Sequence, residues 1–369
     1  MKFLLKSVES YLYELFMFPK LLYLNENEIT KLNEVLDGAK ESFLDHDDYM
    51  AFVNEAKEAL DPYKDPLLGF YSEEAISFYD FPNLLFKSYS FFGFNSYKDY
   101  LNHIQKDSEE TIKLNLIYAL LTIESQDDNL SHEEGLNQAK AILHDKEKIT
   151  HLIRQTPTTE NHRWILMLLI ENPCDYLEVF SQLLEKVEPI FNRFYEKHLN
   201  KIEHFVNDVM NPLKNRGEEA FLELTKELVP LDVLDVENIV LYSFVSPYRF
   251  SIMHCGDDHF IHFGISMKQG FEKIAEFEQN SRKNRAKVFK TLSDETRYEV
   301  LRALSKGVTS TKAIATELNI SSATVTYHLN TFLTAKVIKP TKNKKARYAI
   351  DFERLEAFWQ DFINDLKSE

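Results

Sequence analysis

The chain has 369 residues, 44% of them hydrophobic and 13% aromatic, and a formal net charge of −16. That much apolar surface supports a large folded core and excludes a disordered chain, and the length allows two or three domains. The acidic total speaks against nucleic acid, the two cysteines against a disulfide framework, and nine glycines with neither GxGxxG nor GxxxxGK[ST] against a nucleotide-binding α/β protein.

The opening MKFLLKSVESYLYELF begins like a signal peptide but is interrupted by Lys6, Glu9 and Glu14, so no apolar h-region precedes a small-residue cleavage site. The longest apolar runs, Leu116 to Ile123 and Trp164 to Ile170, are too short to cross a bilayer, and a cytoplasmic protein with no membrane partner is expected. Residues 1 to about 235 read as helices. SQLLEKVEPIFNRFYEKHLNKIEHFVNDVM and EAFLELTKELV place apolar residues at i, i+3, i+4 and i+7. Pro and Gly mark breaks at 61–66, 171–175 and 211–217. Residues 66 to 104 carry 12 Phe and Tyr, which suit a ring-rich core better than a ligand pocket. Asp45-His46-Asp47-Asp48 and Asp127-Asp128 read as solvated loops.

From 237 to 266 the composition turns β-branched and aromatic, which predicts a small β-meander or hairpin. His254, Cys255, His259 and His262 crowd there beside Asp257 and Asp258 and resemble a metal cluster. Gly-Asp-Asp is also ordinary turn chemistry, and strand alternation sends His259 and His262 to opposite faces, so no metal site is expected. Cys174 follows a proline with no assigned histidine partner, and no catalytic triad assembles. A helix resumes near Met267. Across 279–285 the charge changes sign, which places a boundary between an amino-terminal domain, 1–280, and a carboxy-terminal domain, 281–369. The fold class expected is mainly α, a large helical region ending in the β element and followed by a winged helix-turn-helix.

Residues 282 to 350 hold 15 Lys and Arg against 4 Asp and Glu, whereas the rest of the chain has a net charge of −27. A compact basic segment on an acidic body is an electrostatic footprint that the total hides. Within it, LSDETRYEVLRALSKG starts on a Ser293/Asp294 cap and stops at Gly307. Ser310 or Thr309 then caps TKAIATEL, Asn319 supplies a left-handed turn, and Ser321 caps ATVTYHLNTFL. Two short helices joined by a tight turn, with small Ala315 before it and aliphatic Val325 after it, are the sequence form of a helix-turn-helix.

With Val325 at the centre of the buried face, 100° steps bring Leu329 and Phe332 beside it and put Ala323, Tyr327 and Asn330 opposite, flanked by Thr324, Thr326 and Thr331 with His328 at the edge. Short hydroxyls, methyls and one ring suit the base edges of a major groove. Ala323, Thr324, Thr326, Tyr327 and Asn330 are therefore base-reading candidates, and His328, at the edge, is counted with the DNA-binding residues. Ser310, Thr311, Lys312, Ser321 and Ser322 are phosphate candidates at two helix amino termini. VIKPTKNKKARYAI reads as a hairpin with a basic tip, a wing whose Lys342, Lys344, Lys345 and Arg347 reach phosphates beside the groove.

KTLSDETRYEVLRALSKG, IATELNISSATVTYHLNTFLTAKVI and the wing together resemble the ArsR family of bacterial winged-helix repressors, over about residues 284 to 366. The resemblance implies a homodimer paired partly through helices at about Lys283 to Leu292 and Phe352 to Leu366, an inverted-repeat operator on double-stranded DNA, and repression. The chain departs from metal-sensing members: Lys312 to Thr316 contain no Cys-x-Cys pair, and the last helix has neither His nor Cys. The long acidic region resembles the amino-terminal helical extension of larger members, expected to sense a small-molecule effector or a partner, or to widen the dimer. No cofactor and no enzymatic activity are expected. The alternative is an enzymatic or metal-binding amino-terminal domain with an appended DNA- or protein-binding winged helix.

Overall fold

The computed structural model describes residues 1–24, 46–73, 78–123, 132–255, 258–279, 281–308, 310–341 and 348–367. The fold is mainly α. The described residues separate into two compact units that divide between Glu272 and Lys273.

The first unit opens with strand β1 (Lys2–Leu5) and helix α1 (Ser7–Met17). Helices α2 (His46–Leu60), α3 (Lys64–Leu68), α4 (Phe81–Ser88), α5 (Tyr97–Ile104), α6 (Glu109–Thr122), α7 (His132–Ile142), α8 (Lys146–Arg154) and α9 (Glu160–Glu171) follow. Ser96, Ser108, Asp145 and Thr159 each accept a backbone N–H at a helix start, so side-chain caps set these boundaries. Next comes α10 (Pro173–Phe205), whose first residue is a proline placed where its missing N–H is harmless. Of the break expected across 211–217, the asparagine-proline stays helical and the glycine carries it. A π turn, Val206–Met210, leads into α11 (Asn211–Arg216), and the break falls at Gly217. A widened turn tolerates Pro212, which has no N–H to give to the helix ladder. The unit closes with α12 (Glu218–Thr225) and strands β2 (Glu237–Ser243), β3 (Phe250–Cys255) and β4 (Asp258–Gly264). His46 to Asp48 form the first turn of α2 rather than a loop; Asp45 and Asp127-Asp128 lie outside the described residues.

Of the two expected β arrangements, the hairpin forms: β3 and β4 pair antiparallel, with Phe250 opposite Phe263 and Cys255 opposite Asp258. A meander does not form, because β2 pairs parallel with β4, Ile239 lying beside Phe260. The far edge of β2 takes β1, also parallel, with Lys2 beside Glu237. The sheet order is therefore β1-β2-β4-β3, and the chain's first residues, expected to be helical, are a strand.

Helix α1 is locked to β2 by polar contacts inside the core. The Ser10 hydroxyl accepts the Tyr242 amide at 3.1 Å, and Glu14 Oε2 accepts the amides of Phe244 and Val245, both at 2.7 Å. Phe70, Tyr71, Phe81, Phe86, Phe91, Tyr97 and Tyr100, from the aromatic stretch, are buried. Their rings meet neighbours from other elements, Phe86 with Phe16 at 5.1 Å and Phe81 with Phe180 at 5.2 Å, so the stretch builds core.

The second unit receives α13 (Met267–Gln279), inside which the division falls, then α14 (Ser281–Leu292), α15 (Glu295–Ser305), α16 (Thr311–Leu318), α17 (Ser322–Thr334), β5 (Ile338–Pro340), β6 (Tyr348–Ile350) and α18 (Phe352–Lys367). Its core joins Val300, Ala303, Ile314, Ala315, Val325, Leu329, Phe332, Val337 and Ile338.

Candidate nucleic-acid interface

Each boundary of the two-helix element has an identifiable local cause. Asp294 accepts the Arg297 amide at 2.8 Å and starts α15. Gly307, at φ +84°, ends it, and the Val308 amide returns to the Ala303 carbonyl at 3.1 Å. Ser310 caps α16 through the Ala313 amide at 3.4 Å. Thr309, the other capping candidate, lies outside the described residues. Asn319 adopts the left-handed conformation, φ 53° and ψ 45°, and the following Ile320 amide closes on the Ala315 carbonyl at 3.0 Å. Ser321 then caps α17 through the Thr324 amide at 3.0 Å, and the Ser321 and Thr324 hydroxyls lie 2.7 Å apart.

Asn319 is therefore the pivot of the turn. Asn319→Val is expected to destabilise this unit by about 1–2 kcal/mol, the penalty of a left-handed conformation on a β-branched residue, whereas Asn319→Gly stays near neutral. Urea unfolding followed by Trp359 fluorescence distinguishes them, and equal midpoints for the two variants would remove Asn319 from that role.

On α17 the structure buries Val325, Leu329 and Phe332 and leaves Ala323 exposed, with Thr324, Thr326, Tyr327 and Asn330 partly exposed. Ser310, Lys312 and Ser321 are exposed at the two helix starts. Four residues sit deeper than expected. His328, expected at the edge, is 6% exposed, and Thr331, expected on the flank, is likewise buried, its hydroxyl donating to the Tyr327 carbonyl at 2.9 Å. Ser322 and Thr311 are buried as well. The geometry explains three of them: Ser322 and His328 stand three residues either side of Val325, and Thr311 three before Ile314, so each shares a face with the core. The Ser322 and Thr311 side chains therefore point into the core rather than outward from the two helix starts. Burial, and then the Arg297 charge, hold His328 below its ordinary pKa, so it is neutral at physiological pH.

The wing exists as a hairpin in which Ile338 faces Ile350 and Pro340 faces Tyr348. Lys342, Lys344, Lys345 and Arg347, expected at its tip, lie outside the described residues. Asp351, just past β6, takes an ion pair from Lys339 at 3.3 Å.

A family model described as "Helix-turn-helix domain" matches residues 292–341, the stretch from the end of α14 to the first wing strand. No curated protein and no solved structure matches the chain. The carboxy-terminal unit is thus a helix-turn-helix domain, of the class that binds DNA.

Two histidines of the first unit's cluster, His259 and His262, point apart. His259 pairs with Asp235 at 2.6 Å, while His262 is buried on the opposite face of β4 against the Tyr13 ring. Cys255 is buried and its thiol is pushed up to about 12, chiefly by burial. Cys174 is exposed, and its thiol too lies above the ordinary value. Both shifts run opposite to the lowered pKa that marks an activated thiolate. Asp257 lies outside the described residues, and among those described no three His, Cys, Asp or Glu side chains form a metal-holding group. No described helix is long and apolar enough to cross a membrane.

Proposed function

We propose that the protein is a cytoplasmic, sequence-specific transcriptional regulator, a homodimeric repressor akin to the ArsR family, whose amino-terminal unit senses a ligand or partner. The supporting observation is α17 itself: a helix capped at Ser321, anchored in the core by Val325, Leu329 and Phe332, and lined outside by small polar groups and one tyrosine. Such a face offers short hydrogen-bonding groups and methyls that match base edges in a major groove. The lysine-rich tip of residues 342 to 347 adds counterion release along the sugar-phosphate edge.

Dimerisation is supported by α14 and α18. Phe289 meets Phe358 at 5.2 Å and Phe362 at 4.7 Å, which ties the two helices together. Trp359 and Leu366 remain 47% and 65% exposed on α18, apolar surface that a second copy would cover. A two-fold dimer sets half-sites about one helical turn, ~10 bp, or a multiple apart. An effector acts on such a dimer only through unequal affinity for its two arrangements. No catalytic role is assigned to the amino-terminal unit.

Footprinting on the duplex upstream of the protein's own coding sequence, at several salt concentrations, tests DNA binding. Lys344→Ala is expected to weaken all duplexes together and lower the salt slope by about 1, whereas Tyr327→Ala relaxes discrimination by about 1–3 kcal/mol at one base position with the slope kept. Combined, they should abolish footprinting. Undiminished DNA affinity in the double variant would transfer the winged helix to protein docking.

A further inference from the structure

Arg297 lies in the first turn of α15, outside both the helix-turn-helix pair and the wing. Its amide is engaged by the Asp294 cap. Its guanidinium carbon stands 5.9 Å from the centroid of the Tyr327 ring on α17, within cation–π range. Its Nε is buried and makes no hydrogen bond among the described residues, and no carboxylate there stands within ion-pair distance of the guanidinium. Beside it, both ring nitrogens of His328 are buried without partners, and the His328 and Tyr327 rings are 5.4 Å apart. The charge on Arg297 is therefore met by an aromatic face rather than by an anion. A buried donor left without an acceptor is unfavourable, and it persists here against the ring most central to the exposed side of α17.

We propose that Arg297 is a positioning residue for sequence discrimination: by lying against the Tyr327 ring from a neighbouring helix, it fixes the direction in which that ring leaves α17 and so which base edge the tyrosine meets. A tyrosine ring swings between staggered χ1 wells, and each swing carries the hydroxyl to a different part of the groove. A partner on the same helix would move with it. Arg297 belongs to α15, whose Val300, Ala303 and Leu304 are in the core, so the brace is anchored independently of the recognition helix. A planar guanidinium stacks where a lysine ammonium would only approach as a point charge.

The inference rests on the DNA-binding reading, and the test separates the two. The full-length chain is used to enrich duplexes from a randomised library, and affinities are measured for the enriched duplex, its single-base variants and an unrelated duplex. Arg297→Met is expected to keep affinity for the unrelated duplex within about twofold while losing about tenfold of the preference at the base pairs that Tyr327→Ala also relaxes. In the Tyr327→Ala background, Arg297→Met should add no further loss. Arg297→Gln repeats the comparison with a planar uncharged end if the methionine variant fails to fold. An equal loss on every duplex with a shallower salt slope would make Arg297 a phosphate contact and overturn the proposal, as would full additivity with Tyr327→Ala. If the wild-type chain enriches no duplex at any salt concentration, the DNA-binding reading falls first and the role of Arg297 with it.

Discussion

Replacing Phe332 with alanine is expected to destabilise the carboxy-terminal unit by about 3–5 kcal/mol and to abolish DNA binding, the largest single effect among the substitutions considered. Phe332 is 0% exposed and belongs to the cluster that holds Val300, Ile314, Val325 and Val337 in place. Truncating it removes apolar contact and leaves a void that small neighbours such as Ala303 and Ala315 cannot refill. A unit of this size has of order 5–10 kcal/mol of stability, so the loss takes most of it. The chain supplies its own reporters: of its two tryptophans, Trp164 lies in the first unit and Trp359 in the second. In urea, the Trp359 transition should move to markedly lower denaturant while that of Trp164 stays in place, each read with the other changed to phenylalanine. If both move together, the units unfold as one cooperative body and the division at Glu272 has no energetic meaning.

The carboxy-terminal unit was legible because its determinants are local. Asp294, Ser310, Asn319 and Ser321 act within three or four residues of themselves, and a linear pattern suffices to find them. The first unit's sheet was not legible in the same way. Four apolar residues at the amino terminus carry no period, and what makes Lys2–Leu5 a strand is Glu237 to Val240, more than 200 residues away. The segment 237–266 was recognisable as β, but the strand to which β2 pairs is set by the crossover of the chain, and a hairpin signal between β3 and β4 is silent about β2.

At the interface, the rotation of α17 was readable from Val325, and the inward placing of Ser322 and His328 follows from that same rotation. Ser322 was a candidate for its polarity at a helix start, which says nothing about facing, and His328 was placed by rotation only as far as the edge of the exposed face. Arg297 stands in the LSDETR motif that carries the family resemblance, but nothing in the sequence points to a role at the interface. It sits in a different helix from Tyr327, thirty residues earlier, and only the tertiary approach of α15 to α17 brings the guanidinium to the ring.

Glu14→Gln is expected to make the amino-terminal unit less sensitive to pH and more stable in mild alkali. Glu14 is 0% exposed, its Oε1 has no hydrogen-bond partner, and among the described residues no ammonium or guanidinium stands within ion-pair distance. Burial raises its carboxyl from 4.5 to about 7, against the opposing pull of the Ser243 hydroxyl and the Val245 and Phe244 amides. Below pH 4.5 the group is protonated folded and unfolded alike and favours neither state. Between 4.5 and about 7 the unfolded chain releases the proton while the folded chain keeps it, so stability falls as pH rises, then levels off. A glutamine carries no proton to lose and lacks that slope. The stability difference between the variant and the wild type should therefore grow in the variant's favour by about 2–3 kcal/mol from pH 5 to pH 8, or roughly 5–10 °C in Tm for a unit of this size. Thermal unfolding followed by Trp164 fluorescence across that range reads it directly. Parallel curves for the two proteins would mean that Glu14 is ionised in the folded chain and reaches water or a cation. The carboxyl remains useful despite this penalty, because the Phe244 and Val245 amides, just past the end of β2, need an acceptor inside the core.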